Sequence, residues 1–173
     1  MIDLLPLAAA DPAAVEALLD AAFGPDRHGR TAYRLRAGET AIGALSFCTQ
    51  AGSRLAGTIQ CWPVALADDA GAPRRPLVLV GPVAVDPARQ GGGIGRALMG
   101  RMLAAADAGG GGPGHDALVL IGDPEYYGRF GFTAEQTGGW RLPGPFEHRR
   151  LLARGRNVPA GAGAIGPRVT ADA

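Results

Sequence analysis

Residues Leu77 to Met102 read LVLVGPVAVDPARQGGGIGRALMGRM. Leu77 to Val85 is an apolar run rich in β-branched residues and predicts a buried strand. Asp86-Pro87 and a glycine cluster break the run, after which Ile94, Leu98 and Met102 recur at helical spacing. The order is strand, turn, helix. Between strand and helix lies Gln90-Gly91-Gly92-Gly93-Ile94-Gly95-Arg96. Missing side chains there let a ligand approach the backbone, and a helix start leaves N–H groups without partners. With the positive end of the helix dipole, these donors suit an anion, most naturally phosphate.

Spacing separates three phosphate-loop readings. A P-loop needs Lys followed by Ser or Thr after its last glycine, whereas this chain has Ile94-Gly95-Arg96. A dinucleotide fingerprint needs its glycines on the first strand of a parallel unit and an acid about 20 residues further on. Asp107 and Asp116 fall near that distance, but one ends the helix and the other follows a glycine loop. The third pattern, Gln/Arg-x-x-Gly-x-Gly/Ala, is met by Gln90, Gly93 and Gly95. Glycine fills 28 of 173 positions, so a second patch is needed to decide. It follows the next apolar strand, Ala117 to Ile121, as Gly122-Asp123-Pro124-Glu125-Tyr126-Tyr127-Gly128-Arg129-Phe130-Gly131-Phe132.

The two patches together resemble the Gcn5-related N-acetyltransferases (GNAT): the first is similar to their acetyl-CoA pyrophosphate loop. The Tyr127 to Phe132 pattern, Tyr-x-x-x-Gly-Phe, is similar to their short fourth helix. The resemblance is strongest over 77–132. It implies an α/β fold with a mixed, mostly antiparallel sheet of about seven strands, splayed between strands four and five, and about four helices. It implies acetyl-CoA as cofactor and a primary amine as acceptor. Gln90, Gly91, Gly92, Gly93, Ile94, Gly95 and Arg96 would hold the pyrophosphate, and Val83, Ala84 and Val85 would present main-chain groups to the pantetheine arm. Gly81-Pro82 marks the bulge that such a fold needs, since proline cannot donate to a ladder. Asp123, Tyr126 and Tyr127 complete the implied cofactor set, although Asp123 also reads as a helix cap and Tyr126 as packing. Many relatives carry Arg or Lys where this chain has Gly92, which removes one phosphate contact.

Transfer of an acyl group from a thioester to an amine needs a neutral nitrogen, a donor to the developing oxyanion and a proton for the leaving thiolate. A phenol with a pKa near 10 stays protonated at neutral pH, so Tyr127 is assigned as the acid. The backbone N–H around Val83 is assigned to the oxyanion. Some relatives place a glutamate on strand four, but Leu77 to Val85 has no carboxylate; water relayed by backbone carbonyls is the expected base, ahead of Asp123, His28 and Glu39. The alternative to an enzyme is a GNAT-fold module that binds an acyl-CoA as sensor or structural ligand, and a nucleotide-binding domain is the third reading.

The chain has 47% hydrophobic residues and a net charge of +1. That supplies a full core and gives no reason to invoke nucleic acid or a membrane surface. The start, MIDLLPLAAADP, lacks a basic n-region, and no run reaches the roughly 20 apolar residues of a membrane span. A cytoplasmic monomer or homodimer is expected. Cys48 and Cys61 have neither CxxC spacing nor a histidine cluster, so no metal is expected, and a cytosolic setting favours free thiols.

Taken in order, Leu4 to Leu7 predicts a first strand, and Asp11-Pro12 caps a helix whose apolar face is Val15, Leu18, Leu19 and Ala22, stopped by Gly24-Pro25. A short basic helix is expected over Arg27 to Arg36, bordering the acceptor pocket by resemblance. Thr40 to Thr49 and Leu55 to Leu66 predict a hairpin around Gly52. Thr137 to Leu142 and His148 to Ala153 predict the last strands. Residues 1–155 are expected as one domain and 156–173, rich in glycine, proline and alanine, as a loose tail.

Overall fold

A computed structural model describes residues 1–168. Among these residues eight strands form one mixed sheet. The chain divides into two compact units.

The first unit comprises Met1–His28, Ala41–Cys61 and Val80–Gly111. Strand β1 (Leu5–Pro6) pairs antiparallel with β2 (Phe47–Ala51), which pairs in turn with the first part of β3 (Arg54–Asp68). The hairpin turn uses Gly52 at φ +63°, a conformation costly for other residues. Helix α1 (Pro12–Phe23) starts as expected: the Asp11 side chain accepts the Ala13 N–H, and Gly24 ends the helix. Val15, Leu18 and Leu19 bury one face of α1 against Cys48 and Ala84. Helix α3 (Ile94–Asp107) buries Leu98, Met99, Met102, Leu103 and Ala106.

Two expectations change here. Thr40 to Thr49 is mostly not strand, because the Ser46 hydroxyl donates to the Ile42 carbonyl (2.8 Å) and accepts from the Cys61 N–H (3.1 Å), and Gly43–Leu45 turns as a 3-10 helix. Side-chain bonds of this kind compete with the ladder. Arg27 does not join a solvated basic helix. It is 2% exposed and pairs with Glu16 (2.7 Å) and Asp20 (2.9 Å) on α1, where a buried cation needs a partner.

The second unit comprises Gly29–Thr40, Trp62–Leu79 and the chain from Gly112. Here β4 (Arg75–Val85) pairs parallel with β5 (Leu118–Ile121) at Val78 and Leu79, and β5 pairs antiparallel with β7 (Leu151–Arg154) along its whole length. The β4–β5 pairing ends at Leu79, before Gly81-Pro82, where the peptide is cis. The core gathers Leu35, Val64, Leu66, Leu77, Leu79, Val119, Trp140, Leu151 and Ile165. Helix α2 (Thr31–Leu35) is tied to the Pro143–Pro145 loop, with the Thr31 hydroxyl donating to Pro145 (2.7 Å) and Arg34 to Pro143 (2.8 Å). The two predicted late strands shrink to β6 (Trp140–Arg141) and β7, because His148–Arg150 forms a 3-10 turn.

The expected loose tail does not hold over its middle. Strand β8 (Gly163–Pro167) runs antiparallel to β3, Val64 opposite Pro167, and parallel to β6, Trp140 opposite Gly163. Backbone pairing needs no apolar side chains, and glycine is required: a Cβ on Gly163 would lie 2.6 Å from the Ala67 carbonyl oxygen. Arg168 fastens the strand by donating to the Val64 and Leu77 carbonyls. The remaining tail residues, 169–173, lie outside the described part. Among the described residues no helix is long and apolar enough to cross a membrane, and no group of three or more His, Cys, Asp or Glu is placed to hold a metal.

Candidate active site

The glycine loop takes the form its sequence predicts. The Asp86 carboxylate accepts from the Ala88 N–H (3.0 Å) and caps a 3-10 turn over Pro87–Arg89. Gln90 folds its amide back onto the Val85 carbonyl (3.4 Å), and Gly91 and Gly93 adopt φ +86° and +85°. Helix α3 then opens without a side-chain cap. Its first intrahelical bond runs from the Ala97 N–H to the Gly93 carbonyl (3.0 Å), so Ile94, Gly95 and Arg96 have no acceptor for their amides within the helix. Gly91, Gly92, Gly93 and Arg96 are exposed. An open row of unpaired N–H groups at the positive end of a 14-residue helix is a fit for an anionic diphosphate.

A residue missed in the sequence makes this opening possible. Gly57 of β3 lies under the start of α3, where a Cβ would meet Ile94 Cγ2 at 2.5 Å and the Ala84 carbonyl oxygen at 3.2 Å. An isolated glycine inside a strand pattern is the signal that could have found it. Arg101 of α3 lays its guanidinium over the Phe47 ring at 4.5 Å.

The strand leading into the loop carries Val83, Ala84 and Val85. Ala84 is fully buried, and Val83 and Val85 are half-buried. All three belong to the first unit.

In the second unit, α4 (Pro124–Tyr127) is a single turn continued by a 3-10 turn to Phe130 and closed by Gly131 at φ +86°. Asp123 accepts from the Glu125 N–H (3.0 Å) and is committed to capping. Its carboxyl lies below the ordinary carboxylate range, held there by a hydrogen bond with the Glu125 side chain and by that N–H. Tyr127 packs on Gly122, where a Cβ would fall 2.5 Å from the ring. Its ring meets Tyr126 edge-on (4.9 Å between centroids) and also touches Phe130 and Phe132. Burial raises the Tyr127 phenol above 10.0, Tyr126 and Asp123 raise it further, and Arg150 pulls the other way. Tyr127 therefore holds its proton at neutral pH. Tyr126 is framed by Phe130 and by Arg129, whose guanidinium stands 4.6 Å over its ring.

The basic residues of the helix expected over Arg27 to Arg36 part company. Arg27 is internally paired, Arg34 holds the Pro143 carbonyl, and Arg36 stacks between Tyr33 (3.8 Å) and Trp62 (4.1 Å).

A model of the acetyltransferase (GNAT) domain matches residues 43–134, more than half of the chain and inclusive of both motifs. The chain belongs to the GNAT family. Among solved structures, this GNAT chain is similar to a GNAT family acetyltransferase from Brucella melitensis in complex with acetyl-CoA, at 26% identity and TM-score 0.65, covering 98% of this chain and 97% of that one. It is also similar to the GNAT family N-acetyltransferase YhbS from Escherichia coli in complex with CoA, at 24% identity and TM-score 0.66, covering 95% and 88%. The Naa50 protein of Arabidopsis thaliana, bound to a bisubstrate analogue, shares the fold at 16% identity and TM-score 0.52, covering 88% and 95%. No curated protein matches. The GNAT fold expected from the two motifs is the fold observed: among the described residues, a mixed sheet with parallel β4–β5 pairing and four α-helices, with β8 as one strand more than expected.

Proposed function

We propose that this GNAT chain is an acetyl-CoA-dependent N-acetyltransferase that moves an acetyl group onto a primary amine of a small molecule or peptide in a ternary complex. The observation that carries the reading is the uncapped start of α3, whose amides at Ile94, Gly95 and Arg96 have no acceptor within the helix and fit a diphosphate. The acetyl-CoA in the Brucella melitensis relative supports the same ligand.

Bound acetyl-CoA supplies an acetyl group activated as a thioester. The chain's part is to place it and to handle charge. Gln90 to Arg96 bind the diphosphate through the backbone, and main-chain groups of Val83, Ala84 and Val85 align the pantetheine arm. The Val83 N–H donates to the carbonyl oxygen as negative charge gathers there. Tyr127 gives its phenolic proton to the departing sulfur, a task suited to a phenol that burial keeps protonated.

A second reading has one observation in its favour. No carboxylate stands on Leu77 to Val85 to act as base, which suits a module that binds acyl-CoA without turnover. Calorimetric titration with acetyl-CoA, followed by release of free thiol over an amine panel, separates the two. Binding with amine-dependent thiol release is the expected result; binding without release supports the sensor, and no binding overturns both.

A further inference from the structure

Among the described residues seven polar or charged side chains are buried, and five of them have hydrogen-bond or ion-pair partners. Arg27 is ion-paired, and Thr31, Ser46, Thr49 and Thr137 each donate a hydroxyl to a carbonyl. The exceptions are Thr58 and Gln60, whose Oγ1 and Oε1 have no hydrogen-bond partner at 0% and 8% exposure. Leaving a buried oxygen unpaired costs stability, so two on one strand call for an explanation.

Their position supplies it. Alternation along β3 puts both side chains on one face, away from Gly57, which meets α3. Thr58 stands opposite Cys48 of β2, which packs with α1. On the other side, the Asp86 N–H bonds the Ala56 carbonyl (2.9 Å). Continued along the antiparallel register, that pair sets Thr58 against Ala84 and Gln60 against Pro82. Gln60 is thus next to the β4 segment whose Val83 N–H is the assigned oxyanion donor, with its Oε1 itself closed off from solvent.

We propose that Gln60 Oε1 receives an N–H of the acceptor amine, with the Thr58 hydroxyl as the neighbouring polar group. A neutral amide oxygen can accept from a primary amine while leaving the nitrogen lone pair free to attack. An acceptor with no N–H to give forfeits that bond. This assignment rests on the transferase reading and names a residue that fixes acceptor choice.

The test uses the full chain and three probe amines, phenylethylamine, lysine amide and spermidine. Wild type, Gln60→Leu and Gln60→Asn are compared for acetyl-CoA affinity, thermal unfolding midpoint and amine KM. Gln60→Leu is expected to leave acetyl-CoA affinity within about twofold, to raise the KM of the best amine about tenfold, as loss of one hydrogen bond does, and to raise the midpoint by removing an unpaired oxygen. Gln60→Asn should give a smaller KM rise. An unchanged amine KM overturns the proposal, as does a Gln60→Leu protein that unfolds earlier or fails to fold, because either makes Gln60 structural. Wild-type protein that binds acetyl-CoA but acetylates none of the amines overturns the transferase reading itself and the assignment with it, and is recognised before any variant is made.

Discussion

The two motifs are built from opposite materials. Gln90 to Arg96 offers backbone: exposed glycines, two of them at positive φ, and amides left over where α3 begins. Asp123 to Phe132 offers a side chain: one phenol, wedged onto Gly122 and walled by three aromatic rings on a helix of a single turn. A backbone site is damaged by adding atoms and a side-chain site by removing them. Each should fail in its own observable, binding for the first and turnover for the second.

The largest effect is expected from Gly93→Val. It forces a β-branched residue to φ +85° at the helix start and puts bulk where the diphosphate would lie. Acetyl-CoA affinity measured by calorimetry should drop at least about 100-fold, in keeping with lost helix-terminus donors and a strained turn. Tyr127→Phe comes next. It keeps the ring stack and removes the proton, so kcat should fall about 100-fold, the low end for a general acid, while acetyl-CoA affinity stays put; an unchanged kcat would break the contrast. The wild-type pH profile sharpens the same point. Because the phenol is raised and acts in its protonated form, kcat should show no loss assignable to Tyr127 until the pH passes 10.0. A decline below neutrality or near pH 8 would belong to another group.

Gly57→Val should act on the backbone site from beneath. Its Cβ would press on Ile94 and on the Ala84 carbonyl, costing about 2 kcal/mol in urea unfolding, as overpacking does, and weakening acetyl-CoA binding with it. Asp123→Ala is the mildest of the set. It removes the cap of α4 and should cost about 1 kcal/mol of stability, with a modest fall in kcat as Tyr127 loses support and no change in affinity.

What could be read in advance follows from the range of the forces. Helix α1, helix α3 and the α4 cap are written locally, as Asp-Pro starts, apolar repeats and glycine stops, and they stand where those signals put them. The glycine loop is equally local, since positive φ and an uncapped start both follow from Gly91 and Gly93. Partners distant in sequence were hidden. Strand β8 is held by backbone pairing with β3 and by Arg168 reaching Val64 and Leu77, none of which glycine, proline and alanine advertise. Arg27 looked like surface charge because Glu16 and Asp20 lie on a different element. The unpaired oxygens of Thr58 and Gln60 need burial and partners to be known together, and no spacing encodes that.

The central claim is that the first-turn amides of α3 hold a diphosphate. Titrating 15N-labelled protein with coenzyme A and following each amide tests it most directly. The account predicts saturable shifts largest at Gly91, Gly93, Ile94, Gly95 and Arg96, which disappear in Gly93→Val. Coenzyme A that binds while those amides keep their positions would contradict it.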